Sequence, residues 1–167
     1  MQTKENDVLI IGGGLTGLCL ASVLSSLNIK VDIIDKYPNN IKKFINIDFR
    51  TTAISEGSKN ILDSFGLWQN IKSQAQPIKK INIFDRDIVN KINFINPNEN
   101  ENLGYIVDNN NLKKSFLEQV CKNKVNVISN CNLENIEYFN DYNLVYTSKK
   151  NFKSKLIIAA DGKNSYV

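Results

Sequence analysis

The chain has 167 residues, 42% of them hydrophobic and 23% charged. That is the make-up of one soluble globular domain, or one and a fraction, and it excludes a disordered polymer, a collagen-like chain and a membrane bundle. The net charge of +4 is mild and its lysines are scattered, so no basic stripe for nucleic acid is present. With no histidine in the chain, a histidine base, a Ser-His-Asp triad and a His-ligated metal are all excluded. Asn (26), Ile (22) and Lys (19) are over-used but dispersed, which reads as the codon drift of an AT-rich genome, not as a binding signal. Three cysteines, Cys19, Cys121 and Cys131, lack metal-ligand spacing and are expected to be reduced core thiols. No apolar run approaches the ~20 residues of a spanning helix, and the polar start of the chain carries no leader pattern, so a cytoplasmic protein is expected.

In chain order, residues 7–11 form a short apolar run that predicts a buried strand and lead straight into glycines. Apolar positions through 15–27 predict a helix packed on a sheet, and Asn28 is a suitable left-handed stop. Residues 31–34 are a second buried strand. Strand, turn, helix and strand within so short a span make a βαβ unit with parallel strands. A polar loop over 36–49 precedes a helix at 56–65 that Gly66 stops. Pro77 opens a β-rich stretch, with a hairpin over 79–85 and 90–95 and a further strand at 103–107. A helix at 112–121, a strand at 125–128, a hairpin over 131–139 and 142–148, and a buried strand at 156–160 complete the pattern. The fold class is α/β, with a parallel core and a β-rich excursion around residues 76–107.

The strongest local signal is Gly12-Gly13-Gly14-Leu15-Thr16-Gly17, a G-x-G-x-x-G between a strand and a helix. Gly12 permits the sharp turn, Gly14 permits close approach of a pyrophosphate, and Gly17 permits tight helix–strand packing. A diphosphate then rests on the open N–H groups at the positive end of the helix. Asp35 ends the next strand at the spacing expected for a residue gripping a ribose hydroxyl, with Lys36 beside it. An acid here, not a basic pair, favours a free 2′-hydroxyl and hence FAD or NAD over NADP. Asn28 departs from the glycine usual in this fingerprint.

Asp48-Phe49-Arg50-Thr51-Thr52-Ala53-Ile54-Ser55, then Gly57-Ser58 and Phe65-Gly66-Leu67-Trp68, resemble the ubiquinone-biosynthesis hydroxylases, FAD-dependent aromatic-ring monooxygenases of the para-hydroxybenzoate hydroxylase type. The likeness continues at Pro77-Ile78, Ile83-Phe84-Asp85 and Leu103-Gly104-Tyr105-Ile106-Val107, and closes at Ala159-Ala160-Asp161-Gly162-Lys163-Asn164-Ser165. It implies a Rossmann-like FAD/NAD(P)-binding parallel sheet with a β-hairpin meander and an incomplete β-rich substrate lobe, the dinucleotide domain taking 1–75 with 108–167 and the substrate-domain sheet starting at 76–107. It also implies FAD as cofactor, Arg50 at the flavin pyrophosphate, Asp161 and Gly162 at the flavin ribose, and a backbone contact from Leu133 towards adenine. Asn110 stands where many such proteins carry an arginine that reaches the flavin, so that contact is expected to be shortened or lost. The family's second flavin motif, a Gly-Asp followed by Pro and Gly, is not met by Val167, which leaves weak flavin binding as the expectation for these residues alone. The implied partners are a phenolic quinone precursor and NAD(P)H or another electron donor, with peripheral membrane or biosynthetic-complex association in a full-length protein. A non-catalytic dinucleotide-binding module and another FAD oxidoreductase of the same fold, of the geranylgeranyl reductase or halogenase kind, are the alternatives.

Overall fold

A computed structural model describes residues 3–38, 48–84, 92–98, 101–163, 165 and 167. Most of the loop expected over 36–49, the tip of the hairpin expected over 79–95, and Asn164 lie outside them. The chain forms two compact units, residues 1–46 with 113–167, and residues 47–112. The second therefore takes in 47–75 as well as the β-rich stretch at 76–107.

In the first unit, β1 (Thr3–Ile11), α1 (Leu15–Ser26) and β2 (Val31–Ile34) follow each other as the apolar pattern requires. The helix ends where Asn28 takes a positive φ of 62°, and the Ile29 N–H returns to the Leu24 carbonyl at 3.2 Å, closing the last turn. The remaining elements are the C-terminal part of α3 (Asn109–Lys122), β8 (Asn126–Ile128), β9 (Leu133–Tyr138), β10 (Asn143–Thr147) and β11 (Asn151–Ala159). Together they give a six-stranded sheet in the order β8-β2-β1-β11-β10-β9. β8, β2, β1 and β11 run parallel, while β9 and β10 form an antiparallel meander leading into β11. Leu9, Ile11, Ile34, Cys131, Val145 and Phe152 make one buried layer of the sheet.

β1 and β11 are both longer than their apolar runs. Thr3–Asn6 pair with Asn151–Ser154, and these polar residues earn their place through hydrogen bonding, which hydrophobic patterning does not reveal. Lys4 Nζ reaches Asp32 Oδ1 at 2.6 Å and Asn6 Nδ2 reaches Oδ2 at 2.9 Å, so the end of β1 is held by a fully buried carboxylate. Cys131 is buried and Cys19 is partly so, but Cys121 is exposed, which corrects the expectation of three core thiols: it lies on the outward face of α3.

The second unit holds β3 (Thr51–Ser55), α2 (Glu56–Ser64), β4 (Gln76–Ile78), β5 (Lys80–Ile83), β6 (Ile92–Ile95) and β7 (Gly104–Asp108). β3, β7 and β4 form one antiparallel sheet and β5 with β6 a separate hairpin. β3 is short and mostly polar, so periodicity alone does not find it. Its end doubles as the cap of α2, with Ser55 Oγ accepting from the Ser58 N–H. Trp68 is buried, its ring 4.9 Å from that of Tyr105. The Gly66-Leu67-Trp68 signature therefore serves the core of this unit. Asp108 Oδ1 accepts from the N–H groups of Asn110 and Asn111 at 2.8 and 3.3 Å, which starts α3 three residues before its apolar periodicity begins.

Candidate functional site

At the C-terminal ends of β1, β2 and β11, the first unit opens into a cleft of about 390 Å³. That volume suits a small-molecule or cofactor site. Parallel sheets place ligands at this end because the loops and helix starts that can meet them gather there. Gly12, Gly13 and Gly14, Asp35 and Lys36, Leu133, and Asp161 and Gly162 all line it. Thr16, on the exposed side of the first helical turn, does not. Arg50 and Asn110 belong to the second unit.

The three functional glycines of the loop differ in what a side chain would meet. A Cβ on Gly12, whose φ is +112°, would drive into the Ala160 carbonyl at the end of β11. On Gly17 it would strike the Gly12 carbonyl and lie 3.2 Å from Ile10 Cγ2, so this glycine lets α1 close on β1. On Gly14 it would meet nothing within 4 Å. That open space sits at the start of α1, where Gly14 offers no side-chain cap and no acidic residue occupies the first turn. The helix thus presents unpaired N–H groups and its positive end to the cleft, an arrangement for an anion.

Asp35 is held by two backbone N–H groups. Its Oδ2 accepts from the Gly13 N–H at 2.8 Å and its Oδ1 from the Tyr37 N–H at 2.9 Å, which ties the glycine loop to the end of β2. The Asp35 carbonyl accepts from the Cys131 N–H at 2.9 Å, and its N–H donates to the Ile128 carbonyl at the same distance. Across the cleft, Ala160 N–H donates to the Ile11 carbonyl at 2.7 Å and Asp161 Oδ1 accepts from Ser165 Oγ at 2.6 Å. An adenosine diphosphate matches this donor set: ribose hydroxyls to an oriented carboxylate, phosphates to the open helix start.

In the second unit Arg50 Nε and Nη2 grip Asp48 Oδ1 and Oδ2, both at 2.8 Å, and the arginine side chain is otherwise solvent-exposed. The guanidinium holds the Asp48 carboxyl well below the usual carboxylate range. Asn110 clasps the same residue by its backbone, with Nδ2 donating to the Asp48 carbonyl at 2.7 Å and Oδ1 accepting its N–H at 3.3 Å. Asn109 adds a bond to Asp48 Oδ2 at 3.2 Å. The signature around Arg50 is thus a hydrogen-bonded knot on Asp48.

Sequence reasoning missed Tyr37, Asn132 and Lys113, which also line the cleft. Tyr37 was within reach, two residues past the acid at a strand end. Nothing in the sequence separates Lys113 from the chain's other lysines.

A parallel sheet with a glycine loop, an open helix start and a backbone-held acid at the next strand end defines a dinucleotide-binding α/β protein. The chain belongs to the family described as FAD binding domain, whose pattern matches residues 5–167. Among curated proteins it is 23% identical to ubiquinone hydroxylase UbiM of Neisseria meningitidis, over 98% of this chain and 37% of that protein. It is 26% identical to ubiquinone hydroxylase UbiL of Rhodospirillum rubrum, over 98% of this chain and 39% of that protein. The chain therefore spans about two-fifths of the length of these relatives. Among solved structures, p-nitrophenol 4-monooxygenase PnpA from Pseudomonas putida superposes with a TM-score of 0.77 at 23% identity, over 97% of this chain and 42% of that one. The fold is shared with it.

Proposed function

We propose that this chain is the FAD-binding portion of a flavoprotein monooxygenase that hydroxylates the aromatic ring of a ubiquinone precursor, using O2 and a reduced nicotinamide or other donor. The observation that carries the reading is the Gly14 opening beside the backbone-held Asp35, in a chain whose relatives include two ubiquinone hydroxylases. Bound FAD supplies the redox chemistry, which explains how a chain without histidine serves an oxidoreductase. The residues here bind and orient. Asp35, locked by the Gly13 and Tyr37 N–H groups, accepts the ribose hydroxyls of the adenosine half. The N–H groups at the start of α1 receive the diphosphate, and Gly14 leaves the space it needs. Asp161 and Gly162 close the far wall, and Leu133 lines the adenine side through its backbone and half-buried side chain. Arg50, pre-oriented by Asp48, is a guanidinium suited to phosphate oxygens.

Disrupting the gene in its native cell tests the substrate. A prenylated phenol lacking one ring hydroxyl should accumulate, as read by mass spectrometry of the lipid extract. Unchanged quinone content with no such phenol would set the reading aside.

A further inference from the structure

The cleft holds two acidic and two basic side chains among its described residues: Asp35 and Asp161, Lys36 and Lys113. Its proposed ligand carries a diphosphate, and the start of α1 offers only partial positive charge. Each lysine has a different situation. Lys36 places its Nζ 5.2 Å from the centre of the exposed Tyr37 ring, next to the ribose-binding acid at the end of β2. Lys113 rises from α3, and the ion pairs and hydrogen bonds among the described residues leave it out, although two carboxylates line the same cleft. A half-buried lysine with no carboxylate partner among the described residues is poised for an anion that arrives with a ligand.

We infer that Lys113 is a phosphate-binding residue of this cleft, supplying the full positive charge that the glycine loop and helix start lack. The inference rests on the dinucleotide reading above and adds to it a side chain and a consequence: recognition depends on phosphate charge through Lys113. Adenosine, which has no phosphate, should be indifferent to this lysine, whereas ADP should not.

The test is calorimetric titration of the purified chain with adenosine, ADP and FAD, at low and moderate salt, for the wild type, Lys113→Met and Lys113→Arg, each first checked for an unchanged thermal melt. Lys113→Met should weaken ADP and FAD by about tenfold, leave adenosine unchanged, and flatten the salt dependence of ADP binding. Lys113→Arg should restore most of the ADP affinity. If wild type binds ADP and Lys113→Met binds it equally well with the same salt dependence, the role of Lys113 is refuted while the cleft stands. Should the wild type bind neither ADP nor FAD, both the cleft reading and the role of Lys113 fall.

Discussion

Gly14 and Gly17 lie three residues apart, and their surroundings separate binding from folding. A side chain at Gly14 enters open cleft, so Gly14→Val should remain folded and lose nucleotide binding by more than about tenfold. A side chain at Gly17 meets the Gly12 carbonyl, so Gly17→Ala should destabilise the first unit by ~1–3 kcal/mol, read from the denaturant midpoint. A Gly17→Ala protein as stable as the parent would show that α1 can move off β1 freely. Asp35→Ala should weaken adenine nucleotides by ~1–3 kcal/mol, the cost of leaving ribose hydroxyls unpaired, and unchanged affinity would return Asp35 to a loop-tying role. The glycines and Asp35 were legible in the sequence because their spacing is set by a local strand–turn–helix–strand geometry. Lys113 was not, because what brings it to the cleft is the packing of α3, a contact distant in sequence.

Among the elements, β1, β2 and β8 are joined at the end opposite the cleft by Asp32. Its carboxylate takes Lys4, Asn6 and Asn126 while only 1% of the residue is exposed. Removing one partner of a buried charge network costs far more than removing a surface pair. Asp32→Ala should therefore lower stability by about 3 kcal/mol, whereas Glu5→Ala, which breaks an exposed pair with Lys153, should cost under ~1 kcal/mol. Equal losses would mean that the Asp32 network is as solvent-screened as the surface. Strand identity was legible wherever apolar residues ran together, as at Ile10 and Ile33. It was illegible at Thr3–Asn6 and Thr51–Ser55, where hydrogen bonds to partner strands do the holding. Acid should loosen both units. Lys155 and the Lys30 N–H lower the Asp7 carboxyl as Arg50 lowers Asp48. Depressed folded-state pKa values add stability above the ordinary carboxylate range, near pH 4, that is lost as pH falls through the folded values. Melting temperature should thus hold steady above about pH 5 and drop below about pH 4, with Asp48→Asn showing a shallower fall. The same acid slope in that variant would remove the Asp48–Arg50 pair from the account.

Across the whole molecule, the hairpin of β5 and β6 leaves one face apolar and open: Ile81 opposes Phe94 and Ile83 opposes Ile92, all four exposed. A two-stranded ribbon with such a face is prone to associate. Sedimentation should show concentration-dependent association of the wild type that Ile81→Ser with Phe94→Ser reduces, while ADP affinity stays the same. No change in association would mean that this face is inert. The central claim, that the cleft over the glycine loop is a dinucleotide site, is tested most directly by one titration of FAD into the wild type and Gly14→Val proteins. The wild type should bind FAD saturably and in competition with ADP, and the folded Gly14→Val protein should not bind it. Equal FAD binding by both, or none by the wild type, would contradict the account.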